Sequence, residues 1–113
     1  MKLNLLEKNI IKYFLEKNKS GVQYDEFFYS ELVVLDREFS GVGFMTYLNR
    51  SDELKVASHD LSFKWGNVGA ILNSEIDTGY LLYIKGGYLA VIEGYTYDDD
   101  WPKEINSLDL YGV

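Results

Sequence analysis

After the first twenty residues the spacing of apolar and polar positions changes period, which predicts one helix followed by strands. From residue 3 to residue 18, a turn of 100° per residue gathers Leu3, Leu6, Ile10, Ile11, Tyr13, Phe14 and Leu15 on one broad arc. Lys8, Lys12 and Lys19 collect opposite them with Asn9 and Glu16, and Lys12 and Glu16 make an i,i+4 pair. The arc is wider than the ~100° stripe that packing one helix face requires, and Leu5 lies outside it. A helix lying in the groove of a curved sheet explains the width; a second subunit meeting the excess apolar surface is the alternative. Asn18 to Gly21 is expected to end the helix, with Gly21 suited to a left-handed exit.

Beyond Gly21 the texture is that of strands. Leu32 to Phe39 alternates, with Val33, Leu35 and Phe39 on one face and Val34, Asp36 and Glu38 on the other. Ser40 and Gly41 suit either a turn or a bulge ahead of the aromatic and β-branched run Val42 to Leu48. Asn49 to Glu53 reads as a loop, and short strands follow around Leu54 to Ala57 and Trp65 to Leu72. Gly66 and Gly69 inside the last of these point to bulges or close backbone approach. From Gly79 to Tyr97 two apolar runs flank Gly86-Gly87, which predicts a hairpin with a two-residue turn. That register sets Lys85 opposite Tyr88, Ile84 opposite Leu89, Leu82 opposite Val91 and Tyr80 opposite Glu93. Leu82, Ile84, Leu89 and Val91 then share one face, and Leu81, Tyr83, Tyr88, Ala90 and Ile92 the other, both largely apolar. Asp98 to Pro102 stops the pattern, and Ser107 to Val113 alternates as a last edge strand. The expected fold is a single α+β domain over residues 1–113: an N-terminal amphipathic helix packed on a curved, mainly antiparallel sheet of about five to six strands.

Composition narrows the function classes. Of 113 residues, 47% are hydrophobic and 16% aromatic, which supplies a core and argues against disorder. Eleven basic residues stand against eighteen acidic ones, a formal charge of -7, so a nucleic-acid backbone is not an expected partner. The charge is uneven: residues 1–22 hold five lysines and two glutamates, net +3, whereas residues 23–113 are net -10. Without cysteine there are no disulfides, thiolate metal sites or cysteine nucleophiles, and one histidine leaves little for zinc or imidazole chemistry. Glu7, Lys8, Asn9 and Lys12 interrupt the opening apolar residues, which does not fit a signal peptide, and no run approaches the ~18 apolar residues of a membrane span. A cytoplasmic protein without a membrane or cofactor requirement is the expectation.

Each candidate for chemistry has a plainer reading beside it. His59-Asp60 suggests an acid/base pair, but neighbours on a strand face apart, and a surface histidine is the simpler reading. Asp98, Asp99 and Asp100 offer carboxylates to a hard cation but lack the alternating ligands, central glycine and distant glutamate of an EF-hand, so a solvated cluster is expected. Glu93 falls on an apolar strand face, where burial would raise its pKa; a rim position or a hydrogen bond to a tyrosine or Arg37 is the plainer reading. Glu38, Glu75 or Asp77 are the carboxylates that would pair with it in a small hydrolase or lyase. Ser40-Gly41-Val42-Gly43-Phe44 is neither a nucleophile elbow nor a dinucleotide fingerprint. Ten tyrosines, six phenylalanines and two tryptophans suit either an aromatic core or a protein-binding surface, with Tyr95, Tyr97, Trp101 and Tyr111 grouped toward the C-terminus.

The stretches Arg37 to Thr46, Gly66-Asn67-Val68 and Tyr80 to Trp101, with Gly94-Tyr95-Thr96-Tyr97 and Trp101-Pro102, resemble a group of small bacterial proteins that carries no assigned activity. In being small, acidic, cysteine-free and rich in aromatics, the chain is also similar to the immunity proteins of bacterial toxin systems. Together these imply a non-enzymatic binding module that masks a basic partner through Tyr95, Tyr97, Asp98, Asp99, Asp100 and Trp101. A homodimer through the N-terminal helix is a further expectation. A small carboxylate-dependent hydrolase or lyase, or a small-ligand-binding protein, is the alternative.

Overall fold

The first helix starts where a side chain can satisfy its free amides. Asn4 accepts from the Glu7 backbone N–H at 2.8 Å, and Glu7 reaches back to the Asn4 N–H at 2.8 Å, a reciprocal capping box. This computed structural model describes residues 1–19, 24–49, 55–57 and 61–113. Helix α1 (Leu5–Asn18) ends with Lys19 as its cap, the Lys19 N–H bonding to the Leu15 carbonyl. Gly21, expected to supply the exit, lies outside the described residues, as do His59, Asp60, Leu54 and most of the expected loop at 49–53.

The chain from residue 24 to residue 31, expected as part of the strand region, instead forms a second short helix, α2 (Glu26–Glu31), capped by Asp25 through the Phe28 N–H at 3.0 Å. Its buried Phe28 and Tyr29 sit edge-to-face, with Tyr24 against Phe28, and join the main core. The wide apolar arc of α1 packs into the same core that this second helix joins. Ile10, Ile11, Phe14 and Leu15 are fully buried, while Leu3, Leu6 and Tyr13 pack at the margin of the same core. Lys8 forms an ion pair with Glu26 between the helices at 2.5 Å. Among the large apolar side chains of α1, Leu5 alone is left exposed for any second subunit.

The strands are β1 (Val34–Phe39), β2 (Gly43–Leu48), β3 (Phe63–Leu72), β4 (Ile76–Lys85), β5 (Tyr88–Thr96) and β6 (Leu108–Gly112). They form one antiparallel sheet in the order β1-β2-β5-β4-β3-β6, so the architecture is α+β with the N-terminal helix on the sheet. The C-terminal segment is an edge strand, as its alternation predicts. Of the expected strand at 54–57, the described part contributes only a bridge from Lys55 to Tyr88.

Three bulges set which side chains face the helices. In β1 the register shifts between Val34 and Asp36, so Leu35 is an extra residue. Simple alternation puts Val34 and Arg37 on opposite faces; the bulge brings both to the helix side, where Val34 is buried and Arg37 reaches α1. Leu35 and Val33, expected to share a face with Phe39, are left exposed. In β3 the shift between Trp65 and Val68 takes up the Gly66-Asn67 step. Asn67 and Asn18 there exchange reciprocal amide hydrogen bonds of 3.0 and 3.1 Å, tying the end of α1 to the sheet.

The third bulge corrects the hairpin. The turn is as expected, with Gly86 and Gly87 both at positive φ, and Lys85 and Ile84 face Tyr88 and Leu89. Beyond that point Ala90 is an extra residue, so Tyr83, Leu82, Leu81 and Tyr80 pair with Val91, Ile92, Glu93 and Gly94. Val91 and Ile92 therefore exchange faces relative to plain alternation. Ile92 joins Leu82, Ile84 and Leu89 in the core beneath the helices.

Candidate functional site

With both helices on one side, the opposite face of the sheet has no described element packed on it, and the strand register lays out its side chains in rows. One row runs Asp36, Tyr47, Val91, Tyr83, Lys64 across β1, β2, β5, β4 and β3. The next runs Glu38, Met45, Glu93, Leu81. Further along, Tyr95, Gly79, Gly69 and Tyr111 align across β5, β4, β3 and β6, followed by Asp77, Ile71 and Asp109. These rows hold five carboxylates and Lys64, which lies 5.9 Å from the Tyr83 ring; at the hairpin end of the same face Lys85 pairs with Tyr88, and Lys55 lies 5.2 Å from the Tyr88 ring.

The glycines in the third row make room for the tyrosines. A Cβ at Gly69 would run into the Tyr111 ring, and one at Gly79 into the hydroxyl ends of Tyr95 and Tyr97. Tyr95 and Tyr97 meet edge-to-face at 5.6 Å, with Tyr97 exposed. The phenols are held by neighbouring carboxylates. Tyr111 donates to Asp77, and that hydrogen bond together with partial burial pushes its phenol up to about 12. Tyr83 donates to Glu93 at 2.9 Å, which likewise raises its phenol above the ordinary range. Desolvation and the nearby carboxylates of Glu38, Asp36 and Glu93 raise Tyr47. Each of these raised phenols stays a neutral donor.

The predicted site residues divide between two surfaces. Tyr95 and Tyr97 stand on this open face, and Asp98, Asp99 and Asp100 form an exposed bend just beyond β5, fastened by the Thr96 hydroxyl to the Asp99 carbonyl. Tyr111 joins them through the glycine row. Trp101 does not: it turns to the helix side, edge-on to Phe44 at 5.1 Å and to Tyr80 at 6.5 Å. Glu93 lies on the open face beside Tyr83 and is half-buried. Glu38 shares its row, but Met45 and a whole strand stand between them, a backbone separation of about 10 Å. No group of three acidic or histidine side chains among the described residues is arranged to hold a metal ion, and no described helix is long and apolar enough to cross a membrane.

Among the described residues the buried carboxylate is Glu7, which sequence periodicity passes over as an interruption of the apolar arc. It is fully buried and accepts from Arg37 Nε and Nη2 at 2.7 Å each, from the Thr46 hydroxyl at 2.6 Å and from the Asn4 N–H. Burial pushes its pKa up, but the hydrogen bonds from Arg37, Thr46 and Asn4 outweigh it and hold the carboxyl below the usual range. The readable signal is the three-residue spacing from Asn4 to Glu7; the partner Arg37 is not local and has no sequence signal.

On the helix side a cleft of about 830 Å³ opens between the first turn of α1, the β1–β2 turn and residues 101–110. Phe39, Phe44, Trp101 and Leu108 are among its walls, with Glu7 and Arg37 also lining it and Lys103 on the C-terminal side. The chain matches no family model, no curated protein and no solved structure.

Proposed function

We propose that this protein is a non-enzymatic binding module whose open sheet face receives a basic protein, in the manner of an immunity protein covering a cationic toxin surface in the cytoplasm. The observation that carries the reading is the interleaving of tyrosines and carboxylates in register across the open face. Tyrosine supplies contact area with two side-chain torsions to immobilise, and its hydroxyl serves as donor or acceptor. Five carboxylates steer a cationic partner toward the face and fix its orientation. The carboxylate-enzyme alternative has less to stand on, because Glu93 and Glu38 lie on an open face with Met45 between them and the cleft is on the other side.

The test is a pull-down from native lysate at low and high salt with the wild type, Tyr97→Ala and Asp98→Ala. A basic protein retained at low salt and lost at high salt is expected. Tyr97→Ala should weaken its retention more than Asp98→Ala, since Tyr97 packs on Tyr95 whereas Asp98 sits in a solvated bend. Retention of an acidic partner, or indifference to both salt and Tyr97→Ala, overturns the reading.

A further inference from the structure

We propose that the cleft on the helix side is a binding site for a small amphipathic anion, an apolar chain or ring bearing one carboxylate. Its body would lie against Phe39, Phe44, Trp101 and Leu108 and its head would face Lys103. The site is separate from the open sheet face, so it stands or falls independently of the protein-binding role.

Size and lining point to a small molecule. At about 830 Å³ the cleft falls within the range of roughly 300–1,000 Å³ found for sites that enclose drug-sized ligands. It gathers apolar side chains that the fold leaves uncovered: Leu5 is 76% exposed, Phe39 68% and Ile105 37%, and all three line it. Exposed apolar residues scattered over a surface need no explanation, but their convergence on one concavity does.

The walls are held open by hydrogen bonds rather than left to collapse. The Trp101 N–H donates to the Gly41 carbonyl at 2.7 Å, pinning the start of the C-terminal wall to the β1–β2 turn. Asn73, at positive φ in the β3–β4 turn, holds the other end. Its side chain accepts from the Asn106 N–H at 2.7 Å and donates to the Glu104 carbonyl at 2.8 Å. A preformed wall lowers the ordering cost of binding.

Charge selects the head group. The ionised side chains lining the cleft are Glu7, Arg37 and Lys103. Glu7 and Arg37 neutralise one another in a bidentate pair, which leaves Lys103 as the one further ionised side chain of the lining; among the described residues no salt bridge engages it, although Asp100 and Glu104 flank it in the chain. In a chain with a net charge of -7, the lining of this cleft thus holds two cationic side chains against one anionic one among its apolar walls. An apolar cation meets no counter-charge there, and a neutral apolar molecule gains only the burial of its body.

Trp101 reports on the site. The chain has two tryptophans, and Trp65 lies between Phe14 and Phe63, away from the cleft walls. The experiment titrates a Trp65→Phe variant with decanoate and decyltrimethylammonium, each below its micelle concentration, and with decanol below its solubility limit, following Trp101 emission. Isothermal titration of the wild-type chain with the same three probes provides the result if that variant folds poorly. Saturable binding of decanoate is expected, about tenfold tighter than decanol, with no saturable response to the cation. Lys103→Ala should remove the preference for decanoate over decanol while leaving decanol binding within twofold, and Phe39→Ala should weaken both. No saturable response to decanoate, equal binding of the three head groups, or a decanoate preference that survives Lys103→Ala overturns the proposal.

Discussion

At the scale of single residues, the decisive contact is the one between Glu7 and Arg37. A fully buried carboxylate is tolerated here because every neighbouring group on it is a donor: two guanidinium nitrogens, the Thr46 hydroxyl and the Asn4 amide. Removing the guanidinium leaves the anion stranded. Arg37→Met should therefore cost about 3 kcal/mol or more in urea denaturation. Glu7→Gln should cost less, because it leaves behind a partly exposed cation instead of a buried anion. Equal and small losses would show that the pair contributes little. The same pair sets an acid limit. The folded pKa of Glu7 lies below its ordinary value, so its contribution is complete above the ordinary glutamate range and disappears as pH falls through the lower folded value. Stability measured from pH 7 down to pH 2 should fall across that window in the wild type and fall less steeply in Glu7→Gln.

At the scale of elements, the strands are shaped by single inserted residues and by glycines where two chains approach. Leu35 and Ala90 are each one residue beyond a simple ladder, and each reverses the facing of everything after it. Gly43 and Gly94 let β2 and β5 come together. A Cβ at Gly43 would overlap the Gly94 carbonyl oxygen, and one at Gly94 would enter the rings of Phe44 and Tyr80. Backbone cannot swing aside as an exposed side chain can. Gly43→Ala should accordingly lower stability by about 2 kcal/mol, with loss of amide-exchange protection concentrated at the Gly43 end of the β2–β5 ladder. A loss below half a kcal/mol would mean that the strands separate there without penalty. Gly69, whose Cβ would meet only the outer end of the Tyr111 ring, is the milder position by the same reasoning.

At the scale of the whole molecule, one sheet separates two environments. Its helix side carries the core and a cleft lined in part by Lys103; its other side carries tyrosines and carboxylates in register. The lysine-bearing N-terminal segment thus lies over the side of the sheet opposite the acidic rows. This disposition is what the two binding experiments interrogate, one on each side. The salt-sensitive pull-down addresses the carboxylate rows, and the tryptophan titration addresses the cleft. A variant such as Tyr97→Ala should leave decanoate binding unchanged, just as Lys103→Ala should leave retention of a basic protein unchanged; crossed effects would show that the two surfaces are coupled.

The sequence by itself determined the α+β class, the extent of α1 to within two residues at its start, the Gly86-Gly87 turn and the final edge strand. Each rests on local physics: helical periodicity, glycine at positive φ, and two-residue alternation. It also grouped Tyr95, Tyr97, Trp101 and Tyr111 by their nearness toward the C-terminus, whereas the register of β5, β4, β3 and β6 is what sets Tyr95 and Tyr111 on one face. Only the tertiary structure decided the rest. Alternation is blind to an inserted residue, so the faces of Val91, Ile92, Val34 and Arg37 depended on bulges seen only once strands are paired. Trp101 left the tyrosine group because the chain turns after Thr96, outside any periodic element. Glu7 looked like an interruption in an apolar arc, and became the centre of a buried network only through Arg37, thirty residues away in sequence. The cleft too exists only between segments distant in the chain, since a concavity is a property of how surfaces meet and leaves no pattern within any one of them.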